Sequence, residues 1–388
     1  MSKSIKVAIS PNIINWLLNT KLHDSTDNDT IMLLRAWLGG EKKPTLAQVR
    51  DLSRKLHVPF GVFFLEEAPQ ESPAMTEFRT MDSAHAGNLS QDLQDTIMKM
   101  LQLQDWMRDE VRENYGELSF VGCCGNVTST DRIISVFREV FQVSLEWHLN
   151  CKTANDVFNL ARKKCNQAGI LVFMNGIVGQ NNRRKLNLKE FRAFTLVDPV
   201  APLIFINACD SMPGRIFSIL HEMTHILLGC SNLYDEEEIH ADFSNSQEAI
   251  CNKVAAEILV PDCLFRKLWQ SRNEEVLERI RYVSRFFKCS LTVVARKALS
   301  NDFINKGQYN YFAQLFKEEA EKYSAKHKPS GGNYYAMQKS RLDPLLLETV
   351  VRSIDEGKTS YTEAYRLTDT TRKTFDKVLA AVEGRGEQ

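Results

Sequence analysis

Apolar residues recur every three or four positions along most of the chain, a spacing typical of amphipathic helices. In the middle of the chain this spacing predicts helices over about Gln91–Asn114, Asp131–Val140 and Asn155–Gln167. Shorter helices are predicted near the C-terminus, at Leu345–Ile354, Tyr361–Leu367 and Thr371–Val382. Helices therefore account for most of the expected structure.

Strand character is confined to the segment that follows the third of these helices. Short apolar runs predict strands at Gly169–Met174, Phe191–Val197 and Pro202–Ile206. Asp198–Pro202 is expected to form a tight hairpin connection, and Gly179–Lys185 a polar loop. A small sheet among many helices predicts an α+β fold that is predominantly helical.

The first 70 residues predict a separate helical domain. Thr45 and Gln48 form the capping-box pattern that opens a helix, and Gly39-Gly40 is expected to stop the helix before it. The helix after Thr45 is expected to present one apolar face, formed by Leu46, Val49, Leu52 and Leu56.

Length and composition set the number of domains. A chain of 388 residues exceeds one ordinary domain, and its 43% hydrophobic and 25% charged residues are typical of a soluble globular protein. Basic and acidic residues number 49 each, so any nucleic-acid binding would need a local basic patch. The pattern predicts a helical domain (1–70), a linker (71–90), a central domain (91–265), a basic helical extension (266–328) and a small C-terminal helical region (329–388).

One segment carries a clear chemical signature. The pentad His221-Glu222-Met223-Thr224-His225 lies in an apolar stretch that Pro213-Gly214 can open and Gly229 can close as a helix. In a helix the two histidines lie one turn apart on one face, so both can bind a single Zn²⁺. Glu222 can then take a proton from a water molecule that the metal activates.

A catalytic zinc site needs a third protein ligand and leaves the fourth position to water. Glu248 lies near the start of a second predicted helix, whose alanines would let it pack closely against a partner helix. Glu248 and Asn252 share a face of that helix, and we predict Glu248 as the third ligand.

Other residues compete for that role. Glu257 lies on the same helix but roughly opposite Glu248, and His240 lies in the acidic loop between the two helices. Cys230 and Cys251 also lie near the expected metal, where we predict them to be small packing residues rather than ligands.

These segments resemble the ImmA/IrrE-type zinc peptidases. The resemblance covers about residues 150–265 and is carried by the following segments: His221–Gly229, Glu248-x-x-Cys251-Asn252, Ala255–Pro261, Phe191–Phe194 and Ala201–Asn207. It implies a compact, zincin-like metallopeptidase core with His221, His225 and Glu248 as zinc ligands and Glu222 as the base. Well-known members of that family cleave DNA-binding repressor proteins.

The implied reaction is peptide hydrolysis at the zinc ion. Besides the metal, the oxyanion of the transition state needs a hydrogen-bond donor. Candidates for this role, or for other substrate contacts, are Tyr234, His240, Asn252 and Arg192. An exposed strand beside the metal could hold an extended substrate by backbone pairing, although Ile204 and Phe205 could instead belong to the core.

The N-terminal domain resembles the second half of a repressor-type helix-turn-helix domain. The resemblance rests on Trp37–Thr45 and Leu56–Phe60. However, Asp24–Thr30 is acidic, and Arg35 is the one positive residue between it and Trp37. Phosphate repels an acidic face, so these residues argue against DNA binding and favour a packing or docking module.

Two functions from different classes are compatible with these features. One is a zinc-dependent endopeptidase that cleaves a specific intracellular regulatory protein. The other is an antitoxin or regulatory binding protein of a toxin-antitoxin or phage-related system. Its peptidase-like domain would bind a toxin or repressor, with or without DNA binding by the N-terminal domain. The presence of Glu222 favours the peptidase, because a purely structural metal does not need a base.

The cysteine spacing, the N-terminal sequence and one basic segment bear on the location and partners of the protein. The nine cysteines show no framework spacing and the N-terminus has no signal-peptide pattern, so we expect reduced cysteines and a cytoplasmic protein. We predict no membrane partner. Basic residues outnumber acidic ones over 265–299, which indicates either a basic binding patch or a solvated helix face.

Overall fold

The computed structural model describes residues 6–20, 28–56, 58, 60–67, 89–234, 247–326 and 340–382. The chain divides into two compact units, residues 1–94 and 95–388. Helices predominate within the described ranges and the strands are few, as expected for a mainly helical α+β protein. Among these residues, no helix is long and apolar enough to cross a membrane.

Within residues 6–67, as far as they are described, the first unit contains three α-helices and a short 3-10 helix at Phe60–Phe64. The α-helices are α1 (Pro11–Thr20), α2 (Asn28–Leu38) and α3 (Leu46–Lys55). The predicted capping box is confirmed, because the Thr45 hydroxyl accepts from the Gln48 amide while the Gln48 side chain accepts from the Thr45 amide. The predicted glycine stop is confirmed too, since α2 ends just before Gly39 and Gly40 adopts a φ of +73°.

The core of this unit is formed by the apolar faces of its helices. Of the predicted face of α3, Val49, Leu52 and Leu56 are buried, and Leu46 is half-buried. They pack with buried residues of the neighbouring elements: Ile13, Ile14, Leu17, Leu34, Trp37, Val58 and Phe63. The unit is held together by ordinary apolar burial.

Three helices precede the sheet. They are α4 (Gln91–Tyr115), α5 (Thr130–Val140) and α6 (Ala154–Gln167), and each agrees with its predicted range to within one residue. Local capping explains this agreement. The Ser129 hydroxyl caps α5, and Thr153 with Asp156 forms a capping box at the start of α6.

The main sheet has four strands in the order β1-β5-β4-β6. These strands are β1 (Leu171–Asn175), β4 (Ala193–Leu196), β5 (Leu203–Asn207) and β6 (Asn232–Tyr234). The first pair, β1 and β5, is parallel, and the other neighbours are antiparallel. The predicted hairpin between β4 and β5 is confirmed.

Two details of the sheet differ from expectation. The predicted polar loop at Gly179–Lys185 is wrong, because β3 (Asn181–Lys185) pairs with β2 (Ile177–Val178) in a separate hairpin. An all-polar strand offers no apolar alternation by which to recognise it. Ile204 and Phe205 belong to the core, because β5 lies between two paired strands and both side chains are at most 2% exposed.

The strands lead into a helical layer that carries the pentad. Its first two helices, α7 (Met212–Leu228) and α8 (Gln247–Leu259), pack against each other. Ser211 caps α7, and Gly229 ends it in the left-handed conformation. The remaining helices are α9 (Asp262–Gln270), α10 (Val276–Phe287), α11 (Leu291–Ser300), α12 (Lys306–Lys326), α13 (Pro344–Asp355), α14 (Tyr361–Leu367) and α15 (Arg372–Val382).

Within the second unit, polar contacts anchor the start of the C-terminal helices to α6 and β1. The guanidinium of Arg162, on α6, donates to the backbone oxygens of Ser340, Leu342 and Val172. Asp343, which caps α13, accepts from Asn166 at 2.7 Å and from the Val172 amide at 2.8 Å. All these groups are described residues of the second unit, so α13 is tied to α6 and β1.

Candidate metal centre

The two histidines of the pentad lie side by side on α7. Their Nε2 atoms are 3.0 Å apart, and both side chains are at most 1% exposed. The arrangement follows from the helix, because residues four apart lie on one face. The sequence around them is apolar, so the imidazoles lie within the core.

The third predicted ligand meets them from α8. One oxygen of Glu248 lies 3.0 Å from Nε2 of His221, and the other lies 3.1 Å from Nε2 of His225. Close helix packing permits this approach, since the small residue Ala255, on the same face of α8, is fully buried. The structure therefore brings the three predicted ligands together around one point.

Asn252 orients the first histidine. Its Oδ1 lies 3.1 Å from Nδ1 of His221. An amide oxygen only accepts, so Nδ1 of His221 carries the proton and Nε2 presents its lone pair toward Glu248. Asn252 was predicted as a possible contact to the oxyanion or substrate, but its position behind the imidazole is that of a residue that positions a ligand.

The three candidate ligands differ in their electrostatics. Burial lowers the pKa of His221, although Glu248 opposes the effect. Burial would raise the pKa of Glu248, but contact with the two imidazoles lowers it. A neutral imidazole and an ionised carboxylate are the forms that bind a metal ion. Burial alone would lower the pKa of His225, but contacts with Cys251 and Glu248 raise it, so His225 has to give up a proton when a metal binds.

Glu222 follows His221 on α7, about 100° further around the helix, and its side chain contacts the sheet. Its Oε2 accepts a hydrogen bond from the hydroxyl of Thr195 on β4, and its Oε1 has no hydrogen-bond partner among the described residues. Burial raises the pKa of Glu222 to about 7, while His225 and Thr195 partly counteract it. A carboxyl with a pKa near neutrality can both accept and return a proton at physiological pH.

Sequence reasoning missed Thr195. The one available signal is that Thr195 is the polar residue in the otherwise apolar strand Ala193–Leu196. A hydroxyl in such a strand is fully buried here, so it needs a polar partner, and Glu222 provides it.

The other predicted contacts lie elsewhere or outside the described residues. Arg192 pairs with Asp210, with 2.7 Å between Nη1 and Oδ2. The backbone of Tyr234 pairs with Ala193 at the end of β6, and its side chain lies outside the described residues, as does the whole of His240.

The rival carboxylate belongs to a different cluster. Glu257 pairs with Lys297 on α11 and accepts from the backbone amide of Asp262 at 3.0 Å. Lys297 also pairs with Asp262 at 2.7 Å. Part of the positive charge of 265–299 is thus neutralised within the fold, and Glu257 is engaged away from the histidines.

A cysteine also reaches the histidines. Cys251 is fully buried on α8, and its sulfur lies within 4.8 Å of a ring nitrogen of both His221 and His225. Cys230 is half-buried, and its sulfur lies 3.7 Å from the backbone oxygen of Leu228. Cys251 lies in the apolar core, as expected of a packing residue, and this position also places its sulfur beside the candidate ligands.

The donor set fits a zinc ion. Two imidazole nitrogens and a carboxylate are the ligands of many catalytic zinc sites, and here they converge from two helices. The second nitrogen of His221 is already engaged by Asn252, as is usual for a metal-binding imidazole. Calcium or magnesium would call for oxygen donors instead.

Two segments of the chain match models of known domains. Residues 342–380 match a domain of unknown function. No curated protein and no solved structure gives a match. Residues 165–299, about a third of the chain, match the model of the M78 peptidases, described as the IrrE N-terminal-like domain. This segment contains α7 and α8, and the match supports the predicted resemblance to the ImmA/IrrE-type family over these residues.

Proposed function

We propose that this protein is a zinc-dependent endopeptidase that cleaves a specific regulatory protein. The observation that carries the proposal is the convergence of the Nε2 atoms of His221 and His225 with the Glu248 carboxylate, all within 3.1 Å. The family match over residues 165–299 supports a metallopeptidase-type domain around these residues.

His221, His225 and Glu248 would hold the zinc ion. When bound, zinc would lower the pKa of a water molecule and polarise the carbonyl of the scissile peptide bond. Asn252 keeps the Nε2 lone pair of His221 available for this role.

Glu222 would move the proton. Thr195 occupies Oε2, which leaves Oε1 to accept a proton from the attacking water. The raised pKa of about 7 lets the same carboxyl return that proton to the leaving amine. Burial keeps bulk water from competing for the carboxyl.

The sheet offers a way to hold a protein substrate. Among the described strands, β6 is the end of the four-stranded sheet beyond β4, the strand that carries Thr195. An extended peptide can add to such an edge by backbone hydrogen bonds. This geometry favours an unfolded segment of a protein as substrate.

The test compares cleavage and zinc content. Wild type and Glu222→Gln are loaded with zinc and incubated with proteins encoded by the neighbouring genes. The wild type should cleave one of them, whereas Glu222→Gln should keep one zinc per chain and lose about 10²- to 10⁴-fold in rate. Glu257→Gln, on α8 but outside the site, is the matched control and should cleave as wild type does. If the zinc-loaded forms cleave none of these proteins, or if Glu222→Gln cleaves as fast as wild type, the peptidase proposal fails.

The second candidate is a regulatory binding protein that grips a toxin or repressor without cutting it. Cys251 favours it, because a site with four protein donors is typical of structural zinc. The buried Glu222 favours the peptidase, since a structural site has no use for a base. DNA binding is not included in either proposal, because α2 carries one cation, Arg35, against Asp29.

A further inference from the structure

Cys251 occupies the same face of α8 as the proposed ligand Glu248. The two residues are three positions apart, so both project toward α7. Cys251 is fully buried, and its sulfur and the nitrogens of His221 and His225 all lie within 4.8 Å of one another. Donor atoms on one tetrahedral zinc lie about 3 to 4 Å apart, given bond lengths of about 2.0–2.3 Å. Small side-chain rotations would therefore bring the sulfur to the metal.

Cys251 belongs to the apolar core of the second unit, and its sulfur also lies near the two imidazoles. Nδ1 of His225 has no hydrogen-bond partner among the described residues, so the Cys251 side chain lies in a region with unsatisfied polar groups.

We infer that Cys251 is a fourth protein ligand of the metal held by His221, His225 and Glu248. The thiol loses its proton to solvent as the metal binds, and the thiolate sulfur occupies the position that a catalytic site leaves to water. The site is then closed at rest, and substrate gains access when the sulfur leaves the metal. This inference rests on the proposed zinc site and adds a means of regulating it.

The four proposed ligands restrict which metal ions the site can bind. A set of two imidazoles, one carboxylate and one thiolate suits zinc or cobalt, which accept both nitrogen and sulfur. It does not suit magnesium or calcium, which bind oxygen. Cobalt can therefore serve as a spectroscopic substitute for zinc.

X-ray absorption of the zinc-loaded full chain tests the inference directly. The wild type should show one sulfur at about 2.3 Å together with nitrogen and oxygen neighbours at about 2.0–2.2 Å. Cys251→Ser and Cys251→Ala should lose the sulfur signal and keep one zinc per chain. In the cobalt-loaded forms the sulfur-to-metal absorption band should disappear with the same two substitutions. Cys230→Ala is the matched control and should keep the sulfur signal.

Each outcome separates the inference from the proposed function. A wild-type spectrum with nitrogen and oxygen neighbours alone overturns the inference and leaves the proposed site intact. Sulfur that persists in both Cys251 variants, or that is lost in Cys230→Ala, overturns it by assigning another cysteine. A wild-type chain that binds no zinc overturns both. The wild-type spectrum decides the matter even if a variant does not fold.

Discussion

At the residue scale, Asn252 is the partner that fixes one imidazole of the site. Its amide oxygen lies 3.1 Å from Nδ1 of His221, behind the face that meets Glu248. Losing such a partner typically costs 10- to 100-fold in metal affinity. Asn252→Ala should therefore weaken zinc binding by about 10- to 100-fold in a competitive titration with a zinc chelator.

A conservative variant distinguishes orientation from general damage. Asn252→Asp retains an acceptor for Nδ1 of His221, so its zinc affinity should remain within about threefold of wild type, a small change beside the loss expected for Asn252→Ala. If Asn252→Ala binds zinc as tightly as wild type, Asn252 does not position the ligand.

His148, a histidine outside the candidate metal centre, should make the stability of the fold sensitive to acid. It is fully buried between Trp147 and Phe287, with ring centroids 4.9 and 6.1 Å away. Burial lowers the pKa of His148 to about 4, and nearby Lys288 adds to the effect. As the pH falls from about 6.5 to about 4, the unfolded chain takes up a proton that the folded chain refuses. The folded state therefore loses stability over this window, by up to about 3 kcal/mol.

His148→Phe should remove this part of the pH dependence. We expect the free energy of unfolding in urea to fall less between pH 7 and pH 4 for the variant than for wild type, by up to about 3 kcal/mol. Trp147→Phe keeps the histidine and should retain the wild-type pH dependence. An unchanged pH dependence in His148→Phe would show that His148 does not cause the effect.

Only part of the site can be predicted residue by residue. The pentad sets the spacing of His221 and His225 within one helix, and helical periodicity places Glu248 and Asn252 on one face of the next. Thr195 was missed, and Cys251 was predicted to be a packing residue near the metal, because the contacts of both residues join different elements. Thr195 meets Glu222 across a sheet–helix contact, and Cys251 meets the histidines across a helix pair.

At the element scale, the C-terminal end of α7 is held by the turn at 119–126. The Gly122 amide donates to the Ile226 oxygen at 2.9 Å, and the Cys124 amide donates to the Leu227 oxygen at 2.8 Å. These carbonyls directly follow His225, so the turn satisfies the helix end that carries a proposed ligand. The close approach is possible because Gly229 and Gly122 lack side chains.

Gly229→Ala should disrupt this junction. Gly229 has a φ of +76°, and an added Cβ would lie 2.9 Å from Cα of Gly122, so strain and a backbone clash add together. The free energy of unfolding should drop by more than the 1–2 kcal/mol typical of the left-handed conformation alone. Urea denaturation measures the difference.

Gly357→Ala is the matched control for the cost of placing alanine in the left-handed conformation. Gly357 has a φ of +72°, but nothing lies within 4 Å of an added Cβ. Its alanine variant should lose only about 1–2 kcal/mol. Equal losses at the two positions would contradict a close contact between the turn and the end of α7.

The sequence predicts elements well where the signals are local. The ranges of α5 and α6 are marked by capping residues that act within one turn, and the prediction was right to within one residue. The short strand β6 and the polar strand β3 were missed. Both exist through backbone pairing with another segment, which neither hydrophobic spacing nor turn chemistry reveals.

At the scale of the whole molecule, the family match covers a segment inside the second unit. Residues 165–299 contain the proposed site, and the C-terminal helices are tied to α6 and β1 through Arg162 and Asp343. The segment that contains the pentad is thus built into a larger unit. The division of the chain into five predicted segments stays a prediction, as does the helix-turn-helix resemblance of the first unit.

On the proposed function, the choice of substrate would depend on the whole chain. The pentad indicates the reaction, while the segments on either side of residues 165–299 are available to select a partner. Composition and periodicity predict helices there, but they do not predict what those helices bind. The two proposed functions differ only in whether the bound partner is cut.

The central claim is that His221, His225 and Glu248 together bind one zinc ion, and zinc affinity tests it most directly. Competitive titration of wild type, Glu248→Gln and Glu257→Gln compares the two carboxylates of α8. We predict one zinc per wild-type chain. Glu248→Gln should lose about 100-fold or more in zinc affinity, because removing a ligand should weaken binding more than removing a residue that only orients a ligand. Glu257→Gln, whose parent carboxylate pairs with Lys297, should bind as wild type does. Stoichiometric zinc of wild-type affinity in Glu248→Gln would contradict the claim.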